Sequence, residues 1–531
     1  MGRRFFRDLL ILSFSSLFLR GVGVVWSGYL SRRMGAGAMG LHSVVLNLYG
    51  FAVTLAVAGI GLAVTRLVSE CEAEGDRAGA CTVVRRALLC VFVSGGGVSL
   101  LLLFCAVPLG GFLLGDAGTA SLIRALSLPV FSLSVSAVFS GYFTARRRAW
   151  VNVFAGILEL FLRIALTLRL LSSPPIATDG DAVLRLLFGG GLAEALSALC
   201  LCLFYLFDRR DVRLCRGGKT ARRILAISVP IALSGCLRAG LSTLGHLLIP
   251  SSLCRSGLTR AAALASYGAL AGMALPVALY PMAILSSAAS LLIPEFSRLK
   301  AAGDRAGATS LVRRALYVTW GFSCGCFAAL SAFAAPLGRL LFGSPDAGRF
   351  ILYLAPVVPV MFLDHISDAA LKGLGEQVAV MWINIGDSTL TVLLILLLLP
   401  RMGILGYVLM IAVTELLNFG FSFWRLIRAT GYSPAPLRAI PPLLYALASL
   451  LFARAFLLSG AVSFLSLSLG GTATLSLYLL PFLLFRRPRR KKRRDLDKPE
   501  KKRYNKISYY GAEYARAVCE ERNGSQKTPE R

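Results

Sequence analysis

Residues 75–88 read GDRAGACTVVRRAL, residues 303–316 read GDRAGATSLVRRAL, and eleven of the fourteen positions are identical. The shift between the copies is 228 in this stretch, 218 upstream of it and 232 downstream. A solenoid repeat has a period of only about 20–50 residues, so the repeated unit here is a much larger one. The chain therefore contains one large unit twice. The aligned positions include Arg20 with Arg238, Tyr49 with Tyr267, and Asn152 with Asn384.

The composition is that of a membrane protein. Apolar residues make up 56% of the 531 positions, mean hydropathy is +0.70, and charged residues make up 16%. An ordinary soluble domain is about 45–50% apolar and about 25% charged. The apolar residues gather in runs of about 20, the length that crosses a bilayer core about 30 Å thick. We therefore expect an all-α polytopic membrane protein.

The hydropathy pattern predicts fourteen membrane spans. They are residues 9–30, 44–68, 83–107, 121–143, 150–172, 186–207, 223–250, 264–292, 312–334, 349–371, 378–399, 403–427, 437–458 and 461–485.

Lysine and arginine are distributed unequally between the two sides of these spans. If the N-terminus is inside, 43 of them fall in inner loops and terminal segments, nine in outer loops and their flanks, and five within spans. Cytoplasmic loops of membrane proteins carry such an excess. We therefore expect both termini to be cytoplasmic, and the net charge of +30 to reflect topology rather than nucleic-acid binding.

The second copy of the repeat begins at the seventh span. Because six spans is an even number, both copies enter the membrane in the same direction, and substrate sites are expected near the midplane between such parallel repeats. We predict two six-helix lobes, residues 1–215 and 216–430, followed by helices 13 and 14 in residues 431–485. Residues 486–531 form a basic tail that we expect to be disordered and attracted to anionic lipids, or else to be a solvated stop-transfer end.

Two repeat-equivalent arginines lie inside predicted spans. Arg20 lies about twelve residues into span 1, or roughly 18 Å deep, and Arg238 lies in span 7. An arginine at this depth needs a partner or a wet cavity. Two guanidinium groups facing one cavity would favour an anionic guest, and a guanidinium binds phosphate in a bidentate geometry.

A small, polar stripe accompanies each arginine at helical spacing. We therefore predict a central substrate cavity lined by Arg20, Arg238, Ser16, Ser27 and Ser242. The alternative is that each arginine is neutralised within its own lobe. The partners available for that are Glu159, Glu194 and Glu415.

Other intramembrane charges fall in pairs or groups. Glu159 and Arg163, like Asp368 and Lys372, are four residues apart, which favours a pair on one helix face. His365, beside Asp364, either relays protons or is merely hydrogen-bonded. A candidate site for a monovalent cation, or else a buried hydrogen-bonded network, consists of Asn384, Asp387, Thr414 and Glu415.

Predicted span 8 contains Pro276 and Pro281, in the region where the second copy has about ten extra residues. Proline at membrane depth is tolerated where a helix lines a cavity or packs against satisfying partners. We expect a bent gating helix here.

Three stretches resemble a known family. They are FLRGVGVVWSGYLSRRMGAGAMGL at 18–41, YGFAVTLAVAGIGLAVTRLVSE at 49–70, and LPVALYPMAILSSAASLLIPEFSRL at 275–299. They are similar to the stage V sporulation protein B group of polysaccharide-export proteins. That group belongs to a superfamily with the lipid II flippases and the multidrug and toxin extrusion transporters. The resemblance covers spans 1 to 12, and spans 13 and 14 by hydropathy alone.

The resemblance implies a flippase for an undecaprenyl-pyrophosphate-linked sugar precursor, such as one of peptidoglycan, in the cytoplasmic membrane of a sporulating bacterium. Lipid II flippases use cavity arginines, and Arg20 corresponds to one on span 1. Arg238 is assigned the same role because it is the equivalent position of the internal repeat. Some relatives bind sodium through spans 7, 11 and 12, and Asn384 and Asp387 resemble the span 11 part, whereas span 7 offers no acid.

The residues alone leave three functions possible. In a flippase, two lobes would rock about the headgroup. No bond would be made or broken, so the protein would not be an enzyme. It would need no cofactor beyond a coupling cation. A cation-coupled multidrug exporter of the same fold would favour cavity carboxylates. A non-transporting scaffold would tolerate replacement of both arginines. The oligomeric state we expect is a monomer.

Overall fold

The computed structural model describes residues 3–57, 59–111, 119–172, 178–209, 220–434, 437 and 440–458. Predicted span 14 and the basic tail lie outside these residues. So does the side chain of Ser16, although its backbone is helical.

The described chain is a bundle of α-helices that includes π-helical segments. The α-helices are α1 Arg3–Val57, α2 Ile60–Ala73, α3 Arg77–Phe104, α4 Ala106–Leu109, α5 Ala120–Ala125, α6 Ser127–Ala145, α7 Ala149–Ser172, α8 Asp179–Asp208, α9 Thr220–Arg255, α10 Arg260–Tyr267, α11 Leu275–Ala278, α12 Met282–Ala301, α13 Arg305–Leu337, α14 Pro345–Leu354, α15 Val358–Gly373, α16 Gln377–Thr430 and α17 Ile440–Leu458. The first π segment is Gly268–Ala274 and the second is Gly338–Phe342.

The helices agree with an all-α polytopic membrane protein. Within the described residues, eight helical stretches are long and apolar enough to cross a membrane, or nine if α14 and α15, bent by 56°, form one crossing. Two of the eight, Arg20–Ala73 and Gln377–Thr430, have 54 residues each. At 1.5 Å per residue each is about 81 Å long, enough for two crossings of a 30 Å core. The number fourteen and the division into lobes stay predictions.

The repeated stretch builds the same turn twice. Gly75 and Gly303 have φ of 73° and 67°, in the left-handed region that glycine adopts without strain. The next residue caps the following helix: the Asp76 carboxylate accepts a hydrogen bond from Gly79 N at 2.8 Å, and Asp304 accepts one from Gly307 N at 2.7 Å. The sequence identity thus reflects a shared turn and helix start.

The loop predicted between spans 1 and 2 is helical. α1 continues from Arg3 to Val57 and bends at Gly35, where φ is 85° and ψ is 171°. A side chain would be strained in that conformation. The bend therefore replaces a loop, and hydropathy misses it because a glycine bend leaves no polar run. α16 also has a non-helical residue inside it, Gly403, at the start of predicted span 12.

Predicted span 8 is broken into several pieces. After α10 the first π segment begins at Gly268, α11 covers only four residues, and a turn at 279–281 precedes α12. This irregular stretch lies in the region where the second copy has about ten extra residues. Pro281 then precedes α12 and interrupts the helix. The helix is interrupted as the prolines indicated, and its bend and gating role stay predictions.

The two repeats touch closely where α1 crosses the start of the first π segment. A Cβ on Gly40 would collide with the carbonyl oxygen of Leu264, and a Cβ on Gly268 would collide with that of Ala36. Only glycine allows this approach of two backbones. The crossing lies near the Gly35 bend, so the repeats are packed together at that end of the bundle.

Candidate functional site

A half-open cavity of about 320 Å³ lies between the two arms of α1, helices α7 and α8, and the first π segment. Arg163 and Glu194 lie near the middle of α7 and α8, so the cavity reaches the middle depth of the bundle. Its residues include Trp26, Ser27, Leu30, Met39, His42, Ser43, Leu46, Tyr49, Leu126, Pro129, Arg163, Leu186, Leu187, Gly190, Gly191, Glu194, Ala271, Gly272 and Pro276.

Three charged side chains form a cluster at the wall of this cavity. The Arg163 guanidinium donates a hydrogen bond to the Glu159 carboxylate on the same helix. Arg163 also lies 3.6 Å from the Glu194 carboxylate, whose side chain is only 5% exposed. The predicted pair of Glu159 and Arg163 is confirmed, and Glu194 joins it from α8. Two carboxylates face one guanidinium, so the cluster has no surplus positive charge.

Some buried polar atoms around the cavity lack partners. Among the described residues, neither Arg163 Nε nor His42 Nδ1 has a hydrogen-bond partner, although both atoms are buried. Buried donors and acceptors are nearly always satisfied by protein, water or ligand. The cavity therefore offers unused hydrogen-bonding groups beside the charged cluster.

Arg163 is the cavity arginine that sequence analysis missed in this role. The spacing of Glu159 and Arg163 indicated a self-satisfied pair on one helix. The signal available was Glu194, a third charge in the neighbouring span with no partner at helical spacing. Its presence indicates a group assembled between helices, which spacing within one helix cannot reveal.

The predicted Arg20 lies outside the lining of this cavity but close to the broken helix. Its guanidinium donates to the carbonyl oxygen of Leu279 at 2.9 Å, in the turn between α11 and α12. No carboxylate pairs with Arg20 in the part of the chain that the structure describes. Ser27, two turns further along α1, donates to the Gly272 carbonyl at 3.0 Å and does line the cavity.

Arg238 and Ser242 are exposed on α9. Within the described ranges, Arg238 makes no ion pair, so the alternative of neutralisation by Glu159, Glu194 or Glu415 is not seen. Neither Arg238 nor Ser242 lines the cavity described above. Their facing Arg20 across a shared cavity stays a prediction, as does the role of Ser16.

In the second repeat, the predicted cation residues belong to a group of polar and acidic side chains. Asn384 donates its amide to the Val380 carbonyl, and Thr414 donates its hydroxyl to the Met410 carbonyl, both within their own helix. Asp387 and Glu415 lie within electrostatic range of each other. No group of three or more His, Cys, Asp or Glu side chains in the described residues is placed to bind a metal ion. The cation site stays a prediction.

The most buried carboxylate of this network is one that the predicted cation site omitted. Asp364 is 9% exposed and accepts a hydrogen bond from Asn418 Nδ2 at 3.0 Å. The predicted pair of Asp368 and Lys372 is confirmed at 3.5 Å, and Ser422 also bonds Asp368. His365 has a buried Nε2 without a partner among the described residues.

Comparison with known families decides the class of the protein. Residues 5–300 match the family described as "Polysaccharide biosynthesis protein", which is more than half of the chain. The chain belongs to the polysaccharide biosynthesis protein family. The MatE family matches residues 230–397, within the second repeat.

Three known proteins show where this family member stands. Stage V sporulation protein B of Bacillus subtilis is 25% identical over 423 residues, 76% of this chain and 79% of that protein. An inward-facing multidrug resistance MATE family transporter of the MOP superfamily shares the fold with TM-score 0.64 and 15% identity, covering 80% of this chain and 99% of its own. The lipid II flippase MurJ, inward closed, has TM-score 0.64 and 12% identity, covering 90% and 99%.

These findings make the chain a multi-pass membrane protein of the polysaccharide biosynthesis protein family, similar to stage V sporulation protein B as its sequence indicated. At 12–15% identity the two solved structures establish the fold alone. Both fold neighbours are transporters, and neither likeness assigns a substrate to this chain.

Proposed function

We propose that the protein is a flippase that moves an undecaprenyl-pyrophosphate-linked sugar precursor across the bacterial cytoplasmic membrane by alternating access. The precursor would serve peptidoglycan or another cell-surface polysaccharide. The family match and the likeness to a lipid II flippase support this substrate class. The observation that carries the proposal is Arg20, an arginine in an apolar helix whose one described bond goes to a backbone carbonyl.

Arg20 has donors left for an anion. A guanidinium carries five N–H donors, and Leu279 accepts one of them. The other donors suit the oxygens of a pyrophosphate, which a guanidinium binds in a fork. Arg238, at the equivalent position of the second repeat, is exposed and supplies the second cation of the proposed clamp. The polyprenyl tail would stay in the bilayer.

Contacts between the repeats at the Gly35 end support one state of an alternating-access cycle. Ser27 binds Gly272, and Arg32 Nε donates to the Leu341 carbonyl at 3.1 Å. With both termini cytoplasmic, as the charge distribution predicts, this closed end would face outward in the proposed cycle. In the proposed cycle, two six-helix lobes of a fourteen-span protein rock about the headgroup.

The proposal also assigns roles to the broken helix, to a coupling cation and to the basic tail. The broken helix at Pro276 and Pro281 would change its bend as the lobes rock, because an interrupted helix resists bending less than an intact one. A monovalent cation bound among the acids of the second repeat would couple transport. The basic tail would bind anionic lipids near the membrane surface. No catalytic residue is proposed.

The test is transport in liposomes. The full chain is reconstituted with a fluorescent undecaprenyl-pyrophosphate-linked sugar, and translocation is followed by quenching of the exposed label. Arg20→Ala and Arg238→Ala should each lower the rate roughly ten- to hundredfold, because a hydrogen bond to a charged group contributes about 1.5–3 kcal/mol. Arg33→Ala, which removes an exposed arginine of the same helix, should keep the parental rate.

Parental rates in both folded arginine variants would disprove the phosphate clamp. No translocation of any lipid by the parent chain would instead favour a scaffold that recruits other proteins.

A second candidate is a cation-coupled multidrug exporter. The MatE match and the acidic network of the second repeat favour it, since carboxylates attract organic cations. The same liposomes loaded with a fluorescent cationic dye distinguish the two. An exporter would move the dye in response to an ion gradient and would tolerate loss of Arg20.

A further inference from the structure

We infer that the cavity between α1, α7, α8 and the first π segment binds the sugar of the lipid-linked precursor. The site is formed by Arg163 and Glu194, with Glu159 paired to Arg163, and the side chains of Trp26 and Tyr49 also line it. The inference rests on the proposed function and specifies which part of the substrate each region recognises.

The polarity of the cavity selects the class of ligand. Two carboxylates already face Arg163, so the site offers no free positive charge for a phosphate. What it does offer is a mixture of acceptors, the carboxylate oxygens, and of an unused donor, Arg163 Nε. A sugar hydroxyl both donates and accepts hydrogen bonds, so it satisfies both kinds of group at once.

The walls and the size of the cavity also fit a sugar. Trp26, Tyr49 and Pro129 supply apolar surface against which the C–H faces of a sugar ring can pack, while Ser27 and Ser43 add hydroxyl groups. The volume of about 320 Å³ is at the lower end of the 300–1,000 Å³ typical of small-molecule sites. A small headgroup fits, and a polyprenyl tail does not.

The cavity lies at the right distance from the proposed phosphate site. Ser27, on its wall, follows Arg20 by seven residues, or two turns, on the same face of α1. At 1.5 Å per residue their Cα atoms are about 10 Å apart. A pyrophosphate at Arg20 can therefore place its attached sugar next to Ser27.

Gly190 provides a way to fill the cavity without moving the backbone. Gly190 lines the cavity, and a Cβ added there would approach only Arg163 Nε, at 3.9 Å. Gly97 on α3 is a matched control, because a Cβ there meets nothing within 4 Å. Gly190→Val should therefore occupy sugar space, and Gly97→Val should carry the same helix penalty without doing so.

The experiment compares two probes with the purified full chain in detergent. One probe is undecaprenyl pyrophosphate, and the other is the same lipid carrying an N-acetylated hexosamine. Glu194→Gln should weaken binding of the glycosylated lipid about tenfold, the loss expected for one hydrogen bond to a charged group. Gly190→Val should also weaken it, because the added side chain occupies sugar space. Binding of the bare lipid, and both affinities of Gly97→Val, should stay at the parental value.

Each other outcome overturns the inference in a recognisable way. Equal losses for the two lipids would mean that the cavity does not read the sugar, while the flippase proposal would survive on Arg20→Ala, which should weaken both lipids alike. Unchanged binding in both variants, with parental melting curves, would remove the site. If the parent chain binds neither lipid, the inference and the proposed function fail together. Displacement of the glycosylated lipid by an organic cation would identify a drug site instead.

Discussion

The same place in the two repeats is a polar cavity in one and a packed apolar contact in the other. The shifts of 218 and 232 pair Ser27 with Gly245 and Arg163 with Ile395. In the first repeat, Ser27 and Arg163 line the cavity. In the second, Ile395 is fully buried, and its Cδ1 lies 3.3 Å from where a Cβ of Gly245 would be.

This difference separates what the duplication retained from what it changed. The turn and helix start at Asp76 and Asp304 have nearly the same geometry in both copies, because local capping needs only a few neighbouring residues. Between the first and fifth helices, the first copy has a cavity with a charged wall and the second copy has an apolar contact. A binding site can thus arise in one copy while the other copy keeps that position sealed.

The largest effect should come from removing the central cation of the first repeat. Arg163→Met leaves the buried carboxylate of Glu194 without its cation, and breaking a buried ion pair in this way costs about 3–5 kcal/mol. The melting temperature in detergent should fall by several degrees. The triple variant Arg163→Met with Glu159→Gln and Glu194→Gln should recover most of the loss, because no unpaired charge remains.

Arg349→Met is the control for this change. It removes an arginine from an exposed pair with Asp346, and such pairs contribute about 0–1 kcal/mol. If Arg163→Met and Arg349→Met melt at the same temperature, the cluster in the first repeat is not a buried ion group, and the contrast with Ile395 loses its basis.

A smaller effect is expected at the crossing that joins the two repeats. Gly268→Ala places a methyl group against the Ala36 carbonyl, and overpacking of this kind costs about 1–3 kcal/mol. Gly97→Ala adds the same methyl in open space within a helix and should be neutral or stabilise by up to about 1 kcal/mol. Thermal melts should therefore show a lower melting temperature for Gly268→Ala and an unchanged or higher one for Gly97→Ala, and equal shifts would show that the crossing is looser than its geometry indicates.

Most of the helical framework could be predicted because it depends on local sequence. Runs of apolar residues of membrane length, the proline break of span 8 and the pair of Glu159 with Arg163 are all read from neighbours along one chain segment. The bend at Gly35 was missed because the backbone turns there without a polar loop. A single glycine with positive φ leaves no signal in hydropathy.

The site was predicted less well because it depends on contacts between distant segments. Spacing could not show that Glu194 approaches Arg163, or that Arg20 binds the Leu279 carbonyl at a helix break 259 residues away. In the predicted cation site, Asn384 and Thr414 bond to carbonyls of their own helices, as short polar side chains in helices commonly do. Polar residues on one face therefore indicate a candidate site without showing which residues meet.

The smallest expected effect is at the apolar contact between Ile395 and Gly245 in the second repeat. Ile395→Val removes one methyl group from a fully buried side chain against Gly245, and such a change in a packed core costs about 0.5–1.5 kcal/mol. Ile157→Val makes the same change on α7, where the side chain is 42% exposed, and should have almost no effect. Melting curves of the two variants in one detergent give the difference in stability directly.

Because both substitutions delete the same group from equivalent helices, a difference between them can come only from packing. If Ile157→Val is as destabilising as Ile395→Val, the second repeat is not sealed by a tight apolar contact, and the asymmetry would have to be sought in the charges of the first repeat alone.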